Sequence, residues 1–345
     1  MRAFLSYITW PVVCGVLLGL LILQLLANRN PAQVTLPSFA PAVERASPAV
    51  VNIFTSKTVR DRRWPANPLQ KFFRQERREL VQRSLGSGVI IRAEGYVVTN
   101  FHVVSGADEI LVLLANGQIT EAELMGIDRE SDLALLKIPF QDLPVIHNAD
   151  MQSLRVGDLV LAIGNPYGFG HSVSQGIVSA TGRYGLQLMT YENLIQTDAA
   201  ISPGSSGGAL VDAQGQFLGI ITAIYTAGSG GSDGIGLAIP ADNVNTVVDD
   251  LIQHGYVMRG WLGIEVEQTV NGVLLTGTHP NGPADTAGLR AGDLLTAIDG
   301  QAVVDPIHAM NIIALKQPGS EIEIAIRRGE SHTSVIASIG LRSPR

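Results

Sequence analysis

The sequence predicts a mainly β chain: a large all-β domain closed by one helix, a smaller α+β domain after it, and an apolar N-terminal helix of membrane length. Three observations predict this. Short runs of branched apolar residues, broken by glycine turns, succeed one another from residue 50 to residue 224. After Gly255 the pattern changes, and too few residues remain for a second domain of the same size. Residues 8–27 carry no charge. The 345 residues suit about two domains. At 46% hydrophobic and 16% charged, the chain is too apolar to be disordered, and its net charge of −7 argues against a nucleic-acid partner.

The uncharged run, ITWPVVCGVLLGLLILQLLA, is long enough as a helix to cross a bilayer core of about 30 Å. It exceeds a signal-peptide core, and the site at Leu25-Leu26-Ala27 lacks the small residue that cleavage wants, so an uncleaved anchor over 1–29 is favoured over a cleaved leader. Residues 30–37, NPAQVTLP, read as an extended linker. One cysteine, Cys14, excludes an intrachain disulfide.

The domain over 38–256 contains strand runs at 50–54, 88–91, 96–100, 109–114, 132–138, 159–164, 177–182, 208–212 and 217–224, with Asn116-Gly117 and Gln214-Gly215 as turns. Asp242 then opens a helix with an apolar face of Val244, Val247, Val248 and Leu251, which Gly255 ends. The domain over 257–342 holds Trp261-Leu262-Gly263-Ile264, strands at 272–277 and 321–329, and a helical stretch at 308–317.

Three segments carry chemistry. Thr99-Asn100-Phe101-His102 puts a histidine at the end of a strand, Ser131-Asp132-Leu133 puts an acid at the entry of another, and Gly204-Ser205-Ser206-Gly207-Gly208 sets a serine among glycines. A serine hydroxyl becomes a nucleophile when a histidine takes its proton, and that histidine needs an acid on its other nitrogen. Glycines let backbone N–H groups converge on an oxyanion. Each segment alone is weak. Together, in the order His, Asp, Ser and inside an all-β domain, they follow the chain order of chymotrypsin-like proteases. The remaining histidines show no metal-ligand spacing, so no metal site and no cofactor are expected.

The segments TNFHVV, SDLALLKI, GNPYGFG, SATGR and IQTDAAISPGSSGGAL resemble the signature stretches of the HtrA/Deg serine proteases. The anchor and single C-terminal module resemble the membrane-anchored DegS/AlgW-like branch. The resemblance implies a chymotrypsin-like double β-barrel protease domain followed by one PDZ domain. It implies His102 as general base, Asp132 as its orienter, Ser206 as nucleophile, and the amides of Gly204 and Ser206 as oxyanion hole. Arg183, Tyr167 and Gln196 match regulatory positions, and Trp261, Leu262, Gly263 and Ile264 match the loop that binds a peptide carboxylate. His171 follows a loop that, by the same resemblance, borders the active site.

Two positions depart from the family pattern, which generally reads Asn at Ser202 and Ser205, so the ordering of the oxyanion loop stays open. The resemblance further implies a homotrimer in the bacterial inner membrane, single-pass, with both domains periplasmic. Its PDZ domain would bind C-termini of misfolded envelope proteins, and its substrate would be a transmembrane anti-sigma factor whose cleavage starts a stress response. A general periplasmic quality-control protease and a non-catalytic PDZ scaffold or chaperone are the alternatives. Where the family has a variable loop, residues 60–83 carry eight Lys/Arg against three Asp/Glu, a basic insert expected to touch a neighbouring subunit or an anionic membrane surface.

Overall fold

The computed structural model describes residues 2–27, 38–59, 80–165, 171–186, 188–225 and 235–342. They fall into two units, Met1–Phe39 and Ala40–Arg345. In the first, α1 (Arg2–Ala27) is a continuous helix that exposes apolar side chains such as Trp10, Leu17, Leu20 and Leu23. No helix among the described residues is long and apolar enough to cross a membrane.

The second unit begins with α2 (Ala40–Ala46). A seven-stranded sheet follows, built from β1 (Val50–Val59), β2 (Leu80–Arg92), β3 (Tyr96–Asn100), β4 (Glu109–Leu113), β5 (Ile119–Glu121), β6 (Glu123–Asp128) and β7 (Leu133–Lys137). A one-turn helix, α3 (Phe101–Val104), sits between β3 and β4. The strand order is β5-β4-β1-β2-β3-β7-β6. The expected turn at Asn116-Gly117 joins β4 to β5, with Gly117 at φ 87° and the Gln118 N–H donating to the Asn116 side chain.

A second lobe, of β8 (Leu159–Gly164), β9 (Ser172–Arg183), β10 (Leu194–Thr197), β11 (Ala209–Asp212), β12 (Phe217–Tyr225) and β13 (Ile235–Pro240), closes into a six-stranded barrel in the order β10-β13-β12-β11-β8-β9. Of the two barrels expected, the second is closed and the first is an ordered sheet whose edge strands β5 and β6 are joined by the single residue Ala122. Of these strands, β5, β6, β10 and β13 fall outside the runs expected from the sequence.

The helix α4 (Ala241–His254) buries Val244, Val247, Val248 and Leu251, and Gly255 ends it in the left-handed region with its N–H on the Leu251 carbonyl. Its start differs from expectation. Pro240 is the cap, with no side-chain capping bond, and Asp242 lies inside the first turn, where its charge favours the helix dipole.

The C-terminal module comprises β14 (Gly260–Trp261), β15 (Ile264–Thr269), β16 (Gly272–Thr278), α5 (Pro283–Thr286), β17 (Leu294–Ile298), β18 (Gln301–Ala302), α6 (Pro306–Ala314), β19 (Glu321–Arg328), β20 (Ser331–Ser338) and β21 (Gly340–Leu341). The sheet runs β15-β16-β17-β19-β20, so β15 is an edge strand. Its core gathers Leu262, Val273, Leu275, Leu295, Ile298, Ile322, Ile324 and Ile326. The helix α6 starts two residues before the expected stretch, because Asp305 caps it by accepting the His308 N–H.

Asp293 is 1% exposed and accepts two hydrogen bonds from Arg328, at 2.6 and 2.7 Å, plus the Arg290 N–H. The Arg328 guanidinium holds its carboxyl below the ordinary value of 3.8. A depressed folded-state value contributes stability above pH 3.8 that is lost as pH falls through the folded value. We expect Asp293→Asn to cost about 2 kcal/mol at pH 7 and to flatten the loss of stability as pH falls below about 4. Urea titrations of the full chain across that range measure both effects.

Candidate active site

The register of two strands brings the first pair of candidates together. Antiparallel pairing sets Asn100, the last residue of β3, opposite Leu133, the first of β7. His102, just past the end of β3, and Asp132, just before β7, therefore meet at the same edge of the sheet. The junction is held by backbone: the Phe101 N–H and the Asn100 side-chain amide both donate to the Asp132 carbonyl, at 3.0 and 3.1 Å. Asp132 itself adopts φ 55°, a left-handed conformation that a short polar side chain tolerates.

Each oxygen of the Asp132 carboxylate has work to do. Oδ1 accepts the His102 backbone N–H at 3.0 Å, and Oδ2 meets His102 Nδ1 at 2.7 Å. Oδ2 also accepts the Thr222 hydroxyl at 2.9 Å. A carboxylate can only accept, so the imidazole proton sits on Nδ1 and Nε2 is left as the base. The Asp132 side chain is 15% exposed, whereas that of His102 is 49% exposed and open to a substrate.

Ser206 lies in the turn before β11, in the other lobe. Its hydroxyl donates to the Thr222 carbonyl at 3.3 Å. Thr222, on β12, thus touches Ser206 with its backbone and Asp132 with its side chain, and it joins the three expected residues into one cluster. Among the described residues no direct bond from Ser206 to His102 is formed.

The turn carrying Ser206 is clasped by the first lobe. Ser87, fully buried on β2, donates its N–H to the Ser206 carbonyl and its hydroxyl to the Gly204 carbonyl, both at 2.8 Å. Its hydroxyl also accepts the Asn165 N–H at 2.9 Å. Gly207 explains part of the glycine pattern. It has φ 85°, and a Cβ there would lie 2.0 Å from the Ser87 carbonyl oxygen. The two serines that depart from the family pattern fit this turn. The Ser202 carbonyl accepts the Ser205 N–H at 3.0 Å, and Ser205 is buried against Gly164. Among the described residues the backbone amides of Gly204 and Ser206 donate to no acceptor.

Arg183 and Gln196 are brought together on neighbouring strands, Arg183 Nε donating to Gln196 Oε1 at 2.8 Å. Among the described residues neither bonds to His102, Asp132 or Ser206. Tyr167 and residues 60–79 of the basic insert lie outside the described residues. His171 is partly buried, and that burial pushes its imidazole below the ordinary value against a backbone hydrogen bond at Val50.

The four residues expected at the carboxylate-binding loop line a groove of about 350 Å³ between β15 and α6, with Val266, Ile307, Met310 and Ile313. The Leu262 side chain is 1% exposed and belongs to the module's core. What Leu262 presents is backbone, because its amide and that of Gly263 donate to no described residue. Trp261 packs edge-on to His279 with ring centres 5.4 Å apart. Thr222 and Ser87 at the site, and Tyr191 and Arg342 in the lining of the groove, were missed by sequence reasoning. For Ser87 a signal was present in the Gly-Ser-Gly run at 86–88.

The trypsin-like peptidase domain family matches residues 86–220, and the PDZ domain family matches residues 260–339. A probable periplasmic serine endoprotease, DegP-like, from Halomonas elongata is 39% identical, covering 93% of this chain and 74% of the relative. The serine endoprotease DegS of Salmonella typhimurium is 36% identical, covering 92% and 93%. Among solved structures, the HtrA-type protease AlgW with a decapeptide is 45% identical with a TM-score of 0.70, covering 89% of this chain and 100% of that one. AlgW with a tripeptide is 44% identical with a TM-score of 0.71, covering 90% and 99%.

Proposed function

Because this chain belongs to the HtrA-type serine endoproteases and carries their peptidase and PDZ domains, we propose that His102, Asp132 and Ser206 perform its peptide-bond hydrolysis, in a protein anchored in the bacterial inner membrane and facing the periplasm. The observation that carries the residue assignment is the 2.7 Å contact of His102 Nδ1 with Asp132 Oδ2, with Thr222 linking that carboxylate to Ser206.

His102 Nε2 takes the Ser206 proton as Oγ bonds to the scissile carbonyl carbon. The oxygen, now negative, is met by the amides of Gly204 and Ser206. His102 then passes its proton to the leaving amine, the C–N bond breaks, and an acyl ester on Ser206 remains. Water, deprotonated by His102, hydrolyses that ester and restores the serine hydroxyl. Asp132 stabilises the imidazolium throughout without itself accepting a proton.

The chain works as a trimer in this reading, and the exposed apolar residues Leu159, Val173 and Ile177 on β8 and β9 supply a face for it. The run over 8–27 anchors it. C-termini of misfolded envelope proteins bind the groove beside β15 and relieve inhibition, and the substrate is the periplasmic part of a transmembrane anti-sigma factor. A fluorophosphonate probe applied to the detergent-solubilised full chain should label Ser206, and Ser206→Ala should abolish labelling. No labelling, even with a groove-binding peptide present, would leave only the scaffold alternative. Comparing periplasmic fragments by mass spectrometry in cells carrying either form should reveal an anti-sigma fragment, whereas fragments of many unrelated proteins would point to general quality control.

A further inference from the structure

The edge strand β15 has two chemically distinct faces. Ile264 and Val266 line the apolar groove, and the alternate residues Glu265 and Glu267 are exposed on the opposite face. This follows from the two-residue period of a strand. Opposite Glu265 on β16 stands Gly277, and Glu265 Oε2 lies 3.1 Å from where a Gly277 Cβ would be. That acid therefore leans over a bare stretch of sheet. Among the described residues neither glutamate has an ion-pair or hydrogen-bond partner. Two exposed carboxylates two residues apart on one face of a sheet edge set up a negative field there, which favours a cation and disfavours an anion.

A peptide bound by its C-terminus adds to this edge as an antiparallel strand. With its carboxylate at the free amides of Leu262 and Gly263, its last and third-from-last side chains enter the groove with Ile264 and Val266. Its penultimate and fourth-from-last side chains then stand on the outer face, beside Glu265 and Glu267. Directly opposed residues have Cβ atoms about 5 Å apart, close enough for opposite charges to attract and like charges to repel.

We propose that the groove selects C-terminal peptides carrying Lys or Arg at the penultimate and fourth-from-last positions, with Glu265 and Glu267 as the residues that read them. This rests on the reading of the groove as a C-terminal peptide site and specifies which termini it accepts: a cationic, apolar alternation, against acidic ones.

The test uses the full chain with Ser206→Ala, which leaves the probe uncut, in detergent micelles. Two fluorescent decapeptides ending in Lys-Val-Lys-Leu and Glu-Val-Glu-Leu are compared by anisotropy at low salt. The lysine peptide should bind about tenfold more tightly. In the Glu265→Gln/Glu267→Gln variant the two should agree within about twofold, and raising salt to about 0.5 M should narrow the gap in the unsubstituted chain. Equal affinity in the unsubstituted chain, or a gap that survives in the variant, overturns the charge selection while leaving the groove reading standing. Binding of neither peptide, or equal binding when the terminal carboxylate is amidated, overturns the groove reading itself.

Discussion

Asp132→Asn should lower kcat about ten-thousandfold at neutral pH with little change in KM. Asparagine keeps the shape, and its carbonyl can still accept the His102 backbone N–H in place of Oδ1. Its amide nitrogen then faces His102 Nδ1 and the Thr222 hydroxyl, where Oδ2 had accepted two hydrogen bonds. Two donors cannot share one line, so the imidazole proton moves to Nε2 and the base needed by Ser206 is gone. Steady-state cleavage of a fluorogenic peptide and the rate of fluorophosphonate labelling should fall together. A loss of only tenfold would mean that Asp132 does not set the tautomer of His102.

Arg259→Leu should destabilise the folded unit by about 3–5 kcal/mol. Arg259 lies just past the end of α4, and its side chain is 6% exposed against 7% for Asp128, with which it forms an ion pair. Its guanidinium also stacks over Tyr191 at 4.8 Å, and its carbonyl accepts the Arg342 N–H. Leucine fills similar space but leaves the Asp128 charge buried, with the Ser131 hydroxyl and the Glu130 N–H as its remaining partners among the described residues. The penalty comes from that stranded charge. Scanning calorimetry should show the unfolding temperature lowered by roughly 10 °C. Adding Asp128→Asn should restore part of it, because a neutral amide is cheaper to bury than an unpaired carboxylate. A change under 1 kcal/mol in the single variant would show that solvent reaches Asp128.

The same link has a bearing on the site, since Asp128 begins the five-residue segment that ends at Asp132. Ser131 and Glu130 both bond to the Asp128 carboxylate, and Tyr191 donates its N–H to the Glu130 carbonyl. The left-handed conformation of Asp132 is therefore held from behind by a buried charge pair. Nothing in the local pattern Glu130-Ser131-Asp132 announces that support.

Most of the strands along the chain, the turn at Asn116-Gly117, the buried face of α4 and its stop at Gly255 were legible without a structure. Each depends on neighbours within a few residues: alternation, a glycine that alone tolerates positive φ, and apolar side chains recurring at helical spacing. The identity of His102, Asp132 and Ser206 as candidates was legible for a related reason, because nucleophilic catalysis confines its residue types so narrowly. What tertiary structure alone decided was which groups meet. Thr222 is 90 residues from Asp132, and Ser87 is 117 residues from Gly204. No periodicity within one strand records either contact. Whether the first lobe closed, where α4 began, and that Leu262 turned its side chain inward were likewise settled by packing against distant strands, since burial is a property of the assembled core and the local sequence is compatible with either outcome.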